Sequence, residues 1–315
     1  MTLVHWDDVE GARRARGEMD ATWQRLGAAA GSIGVGVNRV HVAPGMLSTP
    51  PHSHGASEEL FFVLGGSGLA WQDDAAYEVR PGHCVVHRAD QMEHTFRAGE
   101  DGLELLVYGT NYRTEYGWLP RSRALRMSYP WVEGRTDHPW DVEADAEPLE
   151  FNVQTEPPPN IVHLDDLPLH GDDGDGWKAL ADESRSDQAG LGWERLGAGR
   201  IGAPPHCHSE EEEVFVILEG SGTLELWPTP IHVERGTAQR EDIPLRAGHL
   251  VARPPGTKIA HAIRAGPDGM TLLVYGTRKP NDICYYPRSG KIYWRGIGFI
   301  GRLEPLEYGD GEPEN

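Results

Sequence analysis

The sequence has few cysteines, few basic residues relative to acidic ones, and no long apolar run. Its three cysteines, Cys84, Cys207 and Cys284, are too few and too scattered for a disulfide framework, so a reducing, cytoplasmic location is expected. Lys and Arg total 29 against 49 Asp and Glu, which gives a formal charge of −20. Such a chain repels phosphate backbones and anionic lipids, so we expect neither nucleic acid nor a membrane as a partner.

No apolar run approaches the roughly 20 residues that cross a bilayer, and no basic segment followed by an apolar one marks a signal peptide. Glycine (39) and proline (24) are abundant instead. With short apolar runs, this composition favours many short strands and turns over long helices, and thus an all-β fold. The 315 residues are enough for two domains.

One spacing occurs twice: His, one residue, His, four residues, Glu, six residues, Gly. The two copies are His52, His54, Glu59, Gly66 and His206, His208, Glu213, Gly220. A later histidine follows at a matching place in each copy, at His94 and His261. So long a spacing does not recur by chance, and it predicts the same kind of site in both halves.

The spacing also predicts which side chains meet. Side chains alternate between the faces of a strand, so His52 and His54 point the same way. If Glu59 faces them, Phe61 and Val63 share its face and line the same interior. Two neutral imidazoles and one carboxylate that converge in a barrel form a site for a divalent first-row metal.

Other segments repeat as well, and together they span nearly the whole chain. Residues 4–8 return as 162–166, and residues 105–110 return as 272–277. We therefore expect two tandem domains, residues 1–155 and 156–315, joined by a proline-rich linker. The second copy carries a hairpin that is longer by about a dozen residues, which we interpret as a surface insertion.

Within each copy, about eight short antiparallel strands favour a small closed barrel or jelly roll. In the first half a short helix is expected over residues 19–26, and the glycines of residues 65–68 indicate a hairpin. The acidic run of Glu210, Glu211 and Glu212 is interpreted as a solvated turn.

These motifs resemble the cupin superfamily, and the chain as a whole resembles a bicupin of a largely uncharacterised bacterial group. The first cupin motif is matched by Gly45 to Gly66 and by Gly199 to Gly220. The second motif is a Pro-x-Gly turn before a histidine, and residues 254–256 match it ahead of His261. Residues 88–90, ahead of His94, do not have this turn sequence. The resemblance implies two double-stranded β-helix (jelly-roll) barrels. Each would hold a metal by three histidines and one glutamate, which adds His94 and His261 to the ligands.

The donor set suits Fe, Mn, Zn, Ni or Cu, one divalent ion per domain. Four protein ligands on an octahedral ion leave two positions for a chelating substrate, or for a substrate and dioxygen. We therefore expect an oxidoreductase of the dioxygenase type, acting on a small metal-chelating organic acid or aromatic. A redox-neutral isomerase or decarboxylase, which would need a nearby general acid or base, is the alternative, as is a non-catalytic small-molecule-binding protein.

Four further residues are weaker candidates for substrate binding. Arg39 and Arg195 precede the histidine pairs and could bind a substrate carboxylate, although an ion pair is the more frequent role of such residues. Tyr108 and Tyr275 close the last strand of each barrel, where a phenol could reach the site, although packing is the more frequent role of such core tyrosines. No catalytic residue is assigned, and a homodimer is expected because sheet edges in such barrels commonly pair.

Overall fold

The computed structural model describes residues 3–89, 92–112, 114–127, 138–172, 174–304, 306 and 309–311 of the chain, so Asp90 of the divergent turn lies outside it. The all-β fold is confirmed. The strands of the first half are β1 (Leu3–His5), β2 (Gly11–Arg16), β3 (Met19–Gln24), β4 (Val35–Val42), β5 (Ser53–His54), β6 (Glu59–Gln72), β7 (Ala75–Val79), β8 (His83–His87), β9 (His94–Thr110), β10 (Tyr116–Leu119), β11 (Ala124–Met127) and β12 (Asn152–Gln154). Helices α1 (Leu26–Ala30) and α2 (Pro139–Ala144) lie among them.

The second half repeats this order. Its strands are β13 (Ile161–His163), β14 (His170–Asp172), β15 (Asp175–Lys178), β16 (Ala189–Leu196), β17 (Cys207–His208), β18 (Glu213–Pro228), β19 (Glu241–Arg246), β20 (His249–Arg253), β21 (Ile259–Thr277), β22 (Ile283–Tyr286), β23 (Lys291–Trp294) and β24 (Phe299–Arg302). Helix α3 (Leu180–Glu183) precedes β16, and α4 (Pro230–Glu234) lies in the longer hairpin. None of the helices in the described ranges is long and apolar enough to span a membrane.

Each half is a jelly-roll barrel whose long strands bend through the sheet. In the first sheet, the order is β12-β7-β6-β9-β4-β3-β2, with β8 also on β6. In the second, β20-β18-β21-β16-β15-β14 repeats the arrangement, with β19 on β18. The small sheets β5-β10-β11 and β17-β22-β23-β24 cover the barrel mouths and carry His54 and His208.

The glycines of residues 65–68 do not end a strand, which corrects the hairpin expectation. Strand β6 continues through them, with register shifts against β9 on both sides of Gly66. Gly66 has a φ of +71°, and a Cβ there would lie 2.1 Å from the carbonyl oxygen of Gly102. The position therefore requires glycine, and the bulges let one strand bend around the barrel.

The halves exchange strands. Strand β1 from the start of the chain pairs with β20 of the second barrel, and β13 from the start of the second half pairs with β8 of the first. Both pairings are antiparallel and involve the repeated Val-His segments. The limits of the two domains, 1–155 and 156–315, stay a prediction, and in space each barrel includes one strand from the other repeat.

Three apolar cores follow from strand alternation. Alternate side chains of β6 such as Phe61 and Val63 fill the first barrel, as predicted from Glu59. Phe215 and Ile217 fill the second barrel in the same way. The opposite faces of these strands form a single core between the barrels, to which both halves contribute about equally. Burial of that shared face accounts for the close association of the halves.

Two buried glutamates also join the barrels, in a reciprocal arrangement. Glu58 is 1% exposed and accepts hydrogen bonds from the Ser186 hydroxyl (2.6 Å) and from the amides of Asp187 (3.1 Å) and Gln188 (3.0 Å). Its counterpart Glu212 accepts hydrogen bonds from the backbone amides of residues 33 and 34 in the first half. The expected solvated turn is wrong for Glu211 and Glu212, which are 3% and 2% exposed.

Replacing Glu58 by alanine is expected to lower the free energy of unfolding by about 2–5 kcal/mol, because it leaves buried donors of the other barrel without an acceptor. Urea denaturation followed by tryptophan fluorescence measures this. Glu210→Ala, at an exposed position of the matching acidic run, is the control and should change stability little. Equal midpoints for the two variants would contradict a structural role for Glu58.

The helix expected over residues 19–26 is wrong. Residues Met19–Gln24 form strand β3, with Met19 and Ala21 buried on one face at a period of two. The helix covers Leu26–Ala30 instead, and Gly31, which takes the left-handed conformation, caps its C-terminus. Alternating burial and pairing with β4 outweigh the weak helical preference of the segment.

Candidate metal centres

The first predicted set of side chains converges at the mouth of the first barrel. His52 and His94 bridge each other through their backbones, His54 lies in β5, and Glu59 opens β6. From Glu59 Oε2, the Nε2 atoms of His52, His54 and His94 lie at 3.8, 3.3 and 3.1 Å. One ligand atom from each of the four lies within 4.8 Å of all the others.

The second set is similar, with one ligand atom each of His206, Glu213 and His261 within 4.8 Å of the others. From Glu213 Oε2, the Nε2 atoms of His206, His208 and His261 lie at 3.3, 3.2 and 2.8 Å. A further donor, which the sequence did not indicate, lies beside it: Cys284 is 4% exposed, and its sulfur lies within 4.8 Å of ligand atoms of His206 and His208. Burial raises the pKa of Cys284 to about 12, so the sulfur is a thiol at neutral pH.

The atoms present fit a metal ion. Ligands bound at about 2.1 Å and at right angles lie about 3 Å apart, close to the spacings in both clusters. The Nε2 atoms of His54, His208 and His261 and Oε2 of Glu213 are buried without a hydrogen-bond partner in the described residues. Buried polar atoms are rarely left unpaired, and each of these belongs to one of the two clusters.

The protonation states of His52, His261 and the two glutamates suit a cation. Burial, followed by the neighbouring histidines, lowers the pKa of His52 to about 3, and burial lowers that of His261 to about 4. Burial opposes ionisation of Glu59 and Glu213, but the surrounding imidazoles hold both pKa values well below the usual range. Neutral imidazoles and an ionised carboxylate are the forms that bind metals.

The opposite ring nitrogens are held by hydrogen bonds that leave Nε2 free. Nδ1 of His52 lies 3.0 Å from the Pro50 carbonyl oxygen, and Nδ1 of His206 lies 2.8 Å from that of Pro204. Nδ1 of His94 lies 3.2 Å from the Met92 carbonyl oxygen. Such outer contacts fix the ring orientation and the tautomer of a ligand histidine.

The two clusters differ at the second histidine. Nδ1 of His208 lies 2.7 Å from Asp282, while Nδ1 of His54 has no partner in the described residues. Burial disfavours the cation, but Asp282 and Glu213 together raise the pKa of His208 to about 10. Glu115, at the position equivalent to Asp282, instead accepts hydrogen bonds from the backbone amides of residues 55–57. Among the residues described, therefore, only the second cluster has a carboxylate that contacts the outer nitrogen of a candidate ligand histidine, an arrangement that orients metal ligands.

A carboxyl group that the sequence analysis missed lies inside the second barrel. Glu194 of β16 pairs with Leu272, and Val40 of β4 pairs with the matching Leu105, so the two occupy equivalent inward positions. No hydrogen bond or ion pair to the Glu194 carboxyl occurs within the described ranges. Burial and, next, the charge of Glu213 raise the pKa of Glu194 to about 7. The sequence signal that could have identified Glu194 is a charged residue at the position where the first repeat has Val40.

A second difference concerns the residue that pairs with the ligand glutamate across the neighbouring strand. In the first barrel this residue is His87, which is 1% exposed and stacks on His94 at 4.0 Å. In the second barrel it is Arg253, whose pKa burial lowers to about 10. The first cluster is thus backed by a neutral aromatic ring and the second by a cation.

The first cluster opens into a cavity of about 840 Å³. His52, His54 and Glu59 lie at its base, and Trp23, Asn38 and Thr49 line its walls, together with arginines near the mouth. This is the size range of pockets that enclose small organic ligands, roughly 300–1,000 Å³.

The structure argues against a substrate-binding role for the two weaker arginine candidates. Arg39 faces away from the barrel interior, with Nε 2.5 Å from Glu104 and its guanidinium 4.3 Å from the ring of Trp6. Arg195 is exposed and is not its equivalent: Arg39 pairs with Leu106, whereas Arg195 pairs with Thr271. The displacement by two residues places the side chains in different surroundings.

The two tyrosines do not reach the clusters either. Tyr108 and Tyr275 are fully buried in the core between the barrels, where their rings stack with centroids 5.1 Å apart. Strand alternation explains this, since Val107 lines the cavity and its neighbour must face the other way. They are packing residues at the shared core.

The fold and the paired clusters define a class. Residues 38–108 match the family model described as "Cupin domain", so the first barrel is a cupin domain. The second barrel repeats its topology and the spacing of its candidate ligands. The chain therefore has the two-barrel fold of a bicupin, as the sequence motifs predicted.

Solved structures agree on the fold. Oxalate decarboxylase of Lactobacillus farciminis, in a formate complex, is 12% identical over 88% of this chain and 86% of its own, with a TM-score of 0.60. Oxalate decarboxylase of Bacillus subtilis, which has Mn(II) centres, is 12% identical over 87% and 75%, with a TM-score of 0.58. Vicilin of Solanum lycopersicum is 12% identical over 90% and 87%, with a TM-score of 0.56. The search of curated proteins found no match.

Proposed function

We propose that this bicupin is a metal-dependent enzyme that catalyses a redox-neutral reaction, decarboxylation or isomerisation, on a small organic acid at the second cluster. The observation that carries this is Glu194. A Lewis-acid site needs a group that gives or takes the proton, and Glu194 is an unpartnered carboxyl inside the same barrel with a pKa of about 7. The fold shared with oxalate decarboxylases favours this reaction class over the dioxygenase expected from the ligands alone.

His206, His208, Glu213 and His261 would hold the ion, with Fe, Mn, Zn, Ni and Cu all compatible with the donors. When bound, the ion supplies Lewis-acid polarisation of a carboxylate or carbonyl oxygen and orients the acid. Asp282 keeps His208 oriented, and Arg253, 5% exposed, adds a fixed positive charge opposite Glu213. A cationic wall of this kind stabilises negative charge that develops on the substrate.

Glu194 completes the step in a decarboxylation. The carbon–carbon bond to the leaving carboxylate breaks, carbon dioxide departs, and the electron pair stays on the carbon left behind. Protonated Glu194 gives its proton to that carbon and becomes a carboxylate, and the next solvent proton restores it. In an isomerisation the same carboxyl would take a proton from one carbon and return one to its neighbour.

The reaction class can be tested on the manganese-loaded protein with a panel of oxo acids and dicarboxylic acids. Carbon dioxide release, isomer formation and oxygen uptake are measured in the same samples. We expect product without stoichiometric oxygen uptake, and none in the metal-stripped protein. One molecule of oxygen consumed per product would restore the dioxygenase interpretation. A ligand that raises the melting temperature without turnover would favour a binding protein.

We also retain two predictions about the whole protein, a cytoplasmic location and a homodimer. Exposed apolar side chains at Ile297, Phe299 and Ile300, on and next to the edge strand β24, are compatible with self-association.

A further inference from the structure

We propose that the cavity over the first cluster is a separate binding site for an organic acid that carries at least two negative charges and is larger than a two-carbon acid. The first observation is the charge of the cavity. Its lining includes five arginines and only two acids, Glu59 and Glu115, although the whole chain has a formal charge of −20. A concave cationic surface on an acidic protein concentrates anions at that place.

The second observation is how these charges are already used. Nε and an NH2 group of Arg13 donate to the two carboxylate oxygens of Asp20 at 2.8 and 2.6 Å, and Arg16 donates to Asp141 at 2.7 Å. The Glu115 carboxylate is likewise occupied by backbone amides. The charges of these arginines are already compensated by carboxylates, so they contribute little to binding an anionic ligand.

Arg25 and Arg126 are different. Neither guanidinium has a hydrogen bond or an acidic partner within the described part of the chain, and both line the cavity. Arg25 follows β3 on the large sheet, while Arg126 lies in β11, in the same small sheet as His54. The cavity therefore has free cations on two independent elements.

A third donor in the lining is also unpaired. Among the residues that the structure describes, Nε1 of Trp23 is buried without a hydrogen-bond partner, and Trp23 lines the cavity. An indole N–H can only donate, as can a guanidinium. These three groups are donors that need acceptor oxygens, which a ligand with a second anionic group would supply.

The size of the cavity favours a ligand larger than a two-carbon acid. A volume of about 840 Å³ is far more than a two-carbon acid fills. One acidic group would lie toward His52, His54 and Glu59, and a second toward Arg25 and Arg126. The aromatic walls, Trp23 among them, would cover the carbon skeleton between the two charges.

Isothermal titration calorimetry on the protein as purified tests this, with its metal content measured in parallel. The probes are glutarate and phthalate as dianions, butyrate and benzoate as matched monoanions, and oxalate as the two-carbon acid. We expect the two dianions to bind at least tenfold more tightly than their monoanionic partners and than oxalate. Arg25→Gln and Arg126→Gln should each weaken dianion binding by about tenfold, and butyrate binding much less.

Arg195→Gln, at an exposed position of the second barrel, is the matched control and should leave binding unchanged. Turnover is measured on the same arginine variants, so failure of the proposed reaction and failure of this site are distinguishable. Equal binding of monoanions and dianions, no binding of either dianion, or unaltered affinity in the Arg25→Gln/Arg126→Gln double variant would each overturn the proposal.

Discussion

Replacing Glu194 by glutamine is expected to lower the turnover of the proposed reaction by about 10²- to 10⁴-fold, with the metal content unchanged. Glutamine has nearly the same shape as the protonated acid, but it cannot give up a proton. Because Glu194 is not among the side chains that form the ligand cluster, the ion should stay in place. Product formation and elemental analysis on the same preparation measure the two quantities.

The pH dependence follows from the direction of the pKa shift. Burial and Glu213 raise the pKa of Glu194 to about 7 in the metal-free protein. If the acid form donates the proton, the rate should fall as pH rises through the pKa of Glu194, and Glu194→Gln should lose that inflection. A bound divalent ion lowers the pKa of a nearby acid, so the inflection of the loaded enzyme is expected below pH 7.

Stability of the metal-free protein provides an independent control. An acid whose folded pKa is raised favours the folded state at pH values below its unfolded pKa of about 4.3. That contribution is lost as pH rises toward 7. The melting temperature of wild type should therefore fall more between pH 5 and 8 than that of Glu194→Gln. Parallel curves for both proteins would show that Glu194 is not buried as described.

The second large effect is expected for the ligands. His261→Ala should remove the ion from the second barrel only, and His94→Ala should remove it from the first only. Both histidines are 2% exposed, and water replaces a buried imidazole poorly as a ligand. Elemental analysis after dialysis should give about half the metal of wild type in each variant, and almost none in the double variant. Unchanged stoichiometry in either single variant would contradict the assignment of that cluster.

Asp282→Asn refines this test, because Asp282 contacts the ring of His208 and is not one of the four candidate ligands. Loss of such an outer carboxylate weakens metal binding by about 10- to 100-fold. The effect should be confined to the second barrel, since His54 has no partner at Nδ1 within the described residues. A competition titration with a chelator resolves the two sites.

Much of the fold and of the clusters could be predicted because the information is local or repeated. The interval between His52 and His54 fixes their common face, and a second copy of the spacing shows that it is not accidental. Glu59, Phe61 and Val63 follow from the same alternation, and the structure places them together in the barrel.

The rest depends on register and on distant contacts, which a single sequence does not show. Arg39 and Arg195 look equivalent until the pairing of β4 with β9 and of β16 with β21 is known. Tyr108 points to the other barrel because of a core that forms only when both halves are present. Glu194 occurs in one repeat only, so a comparison that looks for shared residues passes over it.

The exchange of β1 and β13 between the barrels bears on how a two-barrel chain could arise from a one-barrel precursor. Cut at the linker, each half would retain a strand that belongs on its neighbour and would lack the one that completes its own sheet edge. A one-barrel precursor would have needed a second subunit to supply that strand. Fusion of two copies turns the exchange into an intramolecular event, with a high effective concentration in place of subunit encounter.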